Sequence, residues 1–186
     1  MTAQKVIQHT IANPMIETIV STQEQANVIQ VRRVASEAVV CCYYHPVFIE
    51  QAKALQGRWE PSTLSWHFTS KLMESLSELL WGLFHVDGLT PYPVCQLRVY
   101  EFSQQSFQEA CMLFGRPVAR AYGRDSGAYL QPDIYKFGGS VRSGGSSKNW
   151  RTIIDKATFE IHKYPTAALV REDVQTARAE GWLTIN

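Results

Sequence analysis

No apolar run in this sequence approaches the roughly 20 residues that a bilayer-spanning helix needs. The opening residues, MTAQKVIQHT, lack the charged-then-apolar order of a secretory leader, so the expected location is the cytoplasm, with no membrane partner. Cysteine is sparse. The four residues Cys41, Cys42, Cys95 and Cys111 show no CxxC spacing, and two are adjacent. That pattern argues against a structural zinc site and reads as reduced core thiols. His9, His45, His67, His85 and His162 form no HExxH and no local cluster with carboxylates, so neither a metal nor a cofactor is expected. No internal repeat is visible. What is present is the composition of a globular chain: 186 residues, 45% hydrophobic and 19% charged, enough for one domain or two small lobes sharing a core.

Net charge is also nearly absent, at +1, but it is unevenly placed. Residues 116–156 carry eight basic side chains (Arg116, Arg120, Arg124, Lys136, Arg142, Lys148, Arg151 and Lys156) against three acidic ones, a local charge of +5 that leaves −4 for the remainder. Such an asymmetry points to an anionic partner on one face.

Hydrophobic periodicity gives the order of elements. Residues 15–20 carry Met15, Ile16, Ile19 and Val20 at the spacing of a short helix. Residues 27–34 (NVIQVRRV) and 37–44 (EAVVCCYY) read as a hairpin. A helix follows from Pro46, closed by Gly57, then two short strands at 58–60 and 64–68. A second helix runs to about residue 84 on the stripe Leu72, Leu76, Leu79, Leu80 and Leu83, and a strand occupies 91–102. Residues 106–122 read as a short helix broken at Gly115 and Pro117. Strands at 133–137, 150–154 and 158–162 come next, with a glycine-rich loop joining the first two, and a helix over 167–179 that Gly181 closes. The expectation is an α+β fold: an antiparallel sheet with helices on one face, in the order strand-helix-strand-strand-helix-strand, followed by a second β-rich lobe. The expected divisions are an N-terminal helical segment at 1–26, an α+β lobe at 27–104, and a basic β-rich lobe with a C-terminal helix at 105–186.

The stretch HPVFIEQAKALQGRWEPSTLSWHF, residues 45–68, resembles the HARP module of annealing-helicase proteins. A helix is followed by Gly57-Arg58, a turn, and a strand with Trp66 and Phe68, and Trp59 fits the same outline. The resemblance spans about residues 40–86, and no helicase motor follows it. It implies a free-standing protein that binds DNA structures. The second half, with GRDSGAY at 123–129 and SGGSSKNW at 143–150, looks like small accessory proteins of plasmids and phages.

Consecutive backbone amides at Gly144 and Gly145, with Lys148 and Asn149 beside them, have the makings of an anion nest for phosphate. The segment is not a P-loop, because Ser146 and Ser147 separate Gly145 from Lys148. Asp125-Ser126-Gly127 has the look of a protease nucleophile segment but lacks a matching histidine, and a turn is the simpler reading. Trp59 beside Arg58 offers a ring that stacks on a base or packs into the core. The expected nucleic-acid contacts are Arg58, Trp59, Arg120, Arg124, Lys136, Arg142, Gly144, Gly145, Lys148, Asn149 and Arg151, with no catalytic residue assigned. Three functions stay open. The leading one is non-enzymatic binding of DNA or RNA. The second is a mobile-element inhibitor that binds a host protein complex. The third is a phosphodiester- or nucleotide-processing enzyme using Asp125, Ser126 and Lys148.

Overall fold

A computed structural model of the chain describes residues 28–186, so the helix expected around residues 15–20 lies outside the described residues. The chain begins with a hairpin, β1 (Gln30–Val34) and β2 (Glu37–Cys41). Helix α1 (Pro46–Ala54) starts on its proline, whose fixed φ suits a first helical turn. Strands β3 (Arg58–Glu60) and β4 (Ser65–Thr69) follow, then a 3-10 turn and α2 (Met73–Phe84). The antiparallel sheet runs β1-β2-β4-β3. Strand alternation turns Val31, Ala38, Val40 and Phe68 to one face. Phe48 and Ala52 of α1 and Leu76, Leu80 and Phe84 of α2 close over that face to make a first core.

The second lobe is built on β5 (Val94–Phe107), β6 (Cys111–Leu113), β7 (Arg116–Ala121), β8 (Ala128–Leu130), β9 (Ile134–Gly145) and β10 (Trp150–Pro165). A 3-10 turn, α3 (Glu172–Ala179) and β11 (Leu183–Ile185) complete it. One antiparallel sheet runs β11-β5-β10-β9, and a smaller one runs β6-β7-β8. The small sheet and α3 cover one face of the large sheet, burying Leu97, Val99, Val118, Ile154, Phe159 and Val174. Trp182 closes the core rim, stacked on Phe102 and Phe114 at centroid distances of 6.1 and 5.7 Å. The fold is α+β.

Four expectations need correcting. Strand β5 does not complete the first sheet. It pairs with β10 and β11, and its Leu97 and Val99 lie in the second core, so the first lobe ends before 94 rather than at 104. Residues 106–122 form no helix: β5 runs on to Phe107, and β6 and β7 follow. The strands expected at 150–154 and 158–162 are one strand, β10, kinked by bulges between Ile154 and Phe159. The C-terminal helix is interrupted at Arg171, whose extended backbone (ψ 138°) separates the 3-10 turn Thr166–Val170 from α3.

Two consecutive tyrosines after β2 join the lobes. The Arg116 guanidinium lies 3.9 Å from the Tyr43 ring centroid, and that of Arg120 lies 4.2 Å from Tyr44. Both arginines project from the same face of β7, with the buried Val118 between them. Arg116 is only 2% exposed and donates to the carbonyls of His162 and Pro132.

Candidate nucleic-acid interface

The glycine-rich segment is strand, not loop. Gly144 pairs with Arg151 and Gly145 with Trp150, so β9 and β10 form a long hairpin that turns only at residues 146–149. At the tip, the amides of Ser146 and Asn149 donate to each other's carbonyls at 3.2 and 3.1 Å. The glycines answer a steric need. Gly139 (φ +67°) sits opposite the β10 bulge, where an added Cβ would overlap the Lys156 carbonyl. Gly145 (φ +88°) enters the turn, where a Cβ would overlap the Asn149 carbonyl.

Register decides which side chains share a surface. Val141 and Ile154 are partners and pack toward the core, so their neighbours Arg142 and Ile153, also partners, face the other way. Arg151, Gly144 and Phe107 lie on that same outer face, and Arg151 Nη1 donates to Gln105 Oε1 at 3.2 Å. Arg142 and Gln105 border a shallow concavity of about 400 Å3. Among the described residues, none of Arg142, Lys148 and Arg151 forms an ion pair.

The other expected contacts lie elsewhere. Lys136 is on β9 but turns its amine to the Gly139 carbonyl at 3.1 Å. Arg124 grips Asp125 through three hydrogen bonds of 2.6–2.9 Å, which hold the Asp125 carboxyl below the ordinary carboxylate range. The Arg124 carbonyl accepts from Ser143 Oγ, which lies on the hairpin face opposite Arg142. Arg120 is held between Tyr44 and Tyr122. Arg58 pairs with Glu60 at 3.0 Å and Glu37 at 3.7 Å, in the first lobe. Trp59 meets its cross-strand partner Trp66 at a centroid distance of 5.6 Å, and with Tyr44 and Ile49 the two walls enclose an apolar recess of about 340 Å3. The Ser126 hydroxyl accepts from the Tyr122 and Gly123 amides and lies 2.7 Å from the Gly127 carbonyl, so it is occupied within its own turn.

Two constellations of side chains are not visible in the sequence, although His67, Tyr100 and Tyr135 stand out there singly. On the open face of the first sheet, His67 Nδ1 donates to Glu37 Oε2 at 2.7 Å, and its Nε2 lies 3.1 Å from Ser65 Oγ. The order carboxylate, imidazole, hydroxyl is that of a nucleophilic triad, but Ser65 is 1% exposed and also bonded to Thr63, out of a substrate's reach. Sequence spacing gave no warning because Glu37 is 30 residues from His67. The second constellation lies on the outer face of the large sheet. Thr184, Arg98, Glu160 and Tyr135 are aligned in one row across four strands. Arg98 bonds Glu160 at 3.2 Å and lies 4.9 Å from the Phe137 ring and 5.8 Å from that of Tyr100. Alternating Arg-Val-Tyr on β5 and Tyr-Lys-Phe on β9 carried the signal, but only the pairing of both strands with β10 reveals a shared face.

Comparisons with protein-family models, with curated proteins and with solved structures return no match to this chain.

Proposed function

We propose that this chain is a non-enzymatic, cytoplasmic nucleic-acid-binding protein that grips phosphates with the outer face of the β9–β10 hairpin. The observation that carries the reading is the pair Arg142 and Arg151, diagonal neighbours on the outer sheet face, with no carboxylate bound to either among the described residues. Gly144, opposite Arg151 and two residues from Arg142, adds no side chain of its own, and Ile153 and the Arg142 guanidinium fill the space above it. Lys148 at the turn extends the cationic line. The likeness of residues 45–68 to a HARP module favours the same partner.

Phosphate contacts release counterions, so affinity should fall steeply with salt. Fluorescence anisotropy with labelled DNA and RNA over a salt series tests this. The double variant Arg142→Ala/Arg151→Ala should weaken binding of every sequence and reduce the log–log salt slope by about 1.4 for a single strand. Unchanged affinity and slope in that variant would refute the proposal.

A second reading, a mobile-element inhibitor of a host protein complex, draws on a different surface. Trp59, Tyr122 and Tyr129 are 43%, 63% and 60% exposed around Arg120 and the apolar recess, the residue types that dominate protein-binding hot spots. Nuclease-resistant capture of one host protein, lost in Trp59→Ala, distinguishes it from nucleic-acid binding.

A further inference from the structure

We propose that the outer face of the large sheet is a stacking platform for unpaired bases, with Tyr135, Phe137 and Tyr100 beneath the bases and Arg142 and Arg151 beside the phosphates. This rests on the nucleic-acid reading above and adds the state of the ligand: single-stranded rather than duplex.

The rings are presented, not merely uncovered. Tyr135, Phe137 and Tyr100 are 52%, 58% and 36% exposed on the face opposite the small sheet and α3. Arg98 lies between Phe137 and Tyr100, and its guanidinium is fixed by Glu160 at 3.2 Å. His162 packs on Tyr135 at 4.6 Å and bonds the second Glu160 oxygen at 3.0 Å. Glu160 is therefore already spent on two side chains of the sheet, and Asp155 lies further along, in the concavity beside Arg142. What faces solvent is a patch of rings edged by one guanidinium, held on a rigid scaffold.

Geometry and charge suit one kind of chain. Tyr135 and Phe137 are two residues apart on β9, about 6.6 Å, and Tyr100 lies two strands away, roughly 10 Å across the sheet. Further along the same face stand Arg142, level with Ile153 and roughly 23 Å from Glu160 along β10, and Arg151, roughly 30 Å from it. A nucleic-acid strand carries a flat ring and an anion in every repeat, which this face matches with rings at one end and unpaired cations at the other. In a duplex the faces of the bases are covered by their neighbours, so the rings have nothing to stack on. Every base presents a ring face, so stacking should tolerate any sequence.

The test is a titration of single-stranded DNA and RNA probes of about a dozen nucleotides, each against its matched duplex. Phe137→Leu and Tyr135→Leu keep apolar bulk on the strand while removing the ring. Each should weaken single-strand binding about tenfold and leave duplex binding unchanged. Tyr122→Leu, on the other side of the lobe, should change neither. A readout on the unmodified protein guards against misfolded variants: photo-crosslinking of an iodouracil-containing strand should label Tyr135, Phe137 or Tyr100. If single strand and duplex bind equally, or ring variants bind normally and crosslinks fall elsewhere, the platform is overturned while phosphate gripping stands, provided Arg142→Ala/Arg151→Ala still weakens binding. If the unmodified protein binds no nucleic acid, both fall.

Discussion

Arg116 is the residue on which most depends. Burial pushes its guanidinium below the usual arginine range, and Tyr43 and Asp133 counter that shift. It satisfies two backbone carbonyls and lies 3.9 Å from Asp133 Oδ2. Arg116→Ala should cost about 3 kcal/mol or more in urea unfolding, because it orphans buried acceptors. Arg142→Ala, exposed and unpaired, should stay within about 0.5 kcal/mol. The sequence reading counted the two arginines alike, as members of one basic patch. Charge type is visible in a sequence, but which cations the fold consumes is not. Glu37 gives a pH test. The His67 hydrogen bond, with smaller help from Arg58, holds its carboxyl below the ordinary value of 4.5. A depressed carboxyl adds stability above its unfolded pKa and loses it as pH falls through the folded one. The unmodified protein should therefore be more urea-resistant than Glu37→Gln at about pH 6, and the difference should shrink as the pH falls below the ordinary carboxyl value.

At the scale of elements, the first lobe was the more legible because each element announces itself locally. The hairpin alternates, α1 opens on Pro46, and the leucine stripe of α2 repeats at helical spacing. The second lobe misled for physical reasons. Phe107, Ala110, Cys111 and Phe114 fall at helical spacing, yet Gln108 and Phe114 take left-handed backbone (φ 54° and 53°), and pairing of Ser106 and Phe107 with β10 prevails. Glycines that read as a flexible loop are places where the hairpin bends around a bulge. Gly139→Ala should therefore cost at least about 2 kcal/mol, from positive φ and the overlap with Lys156. Gly138→Ala, whose nearest neighbour is Thr158 at 3.9 Å, should be near neutral. Thermal melts of the two variants make the comparison. Equal destabilisation would mean that glycine content, rather than the bulge, sets the need.

At the scale of the whole molecule, two small cores have to act as one. Residues 28–86 hold the first, and a unit of that size buries only about 60% of its surface, too little for ample stability alone. Its attachment runs through Tyr43 on Arg116 and Tyr44 on Arg120. Those contacts put the cost of opening one lobe onto the other, and they fix the aromatic recess of the first lobe on the side of β7 away from the stacking face. Hydrogen exchange read by mass spectrometry separates coupled from independent lobes. In the unmodified protein, the most protected amides of β2 and of β10 should lose protection at the same urea concentration, as in a single cooperative unit. In Tyr43→Ala, β2 should open first while β10 keeps its protection, because the first lobe loses its ring on Arg116 while the Arg116 hydrogen bonds within the second lobe remain. If both strands still open together in that variant, the coupling runs instead through the small cavity that Ile29, Leu83 and Phe84 line together with Phe114 and Tyr164.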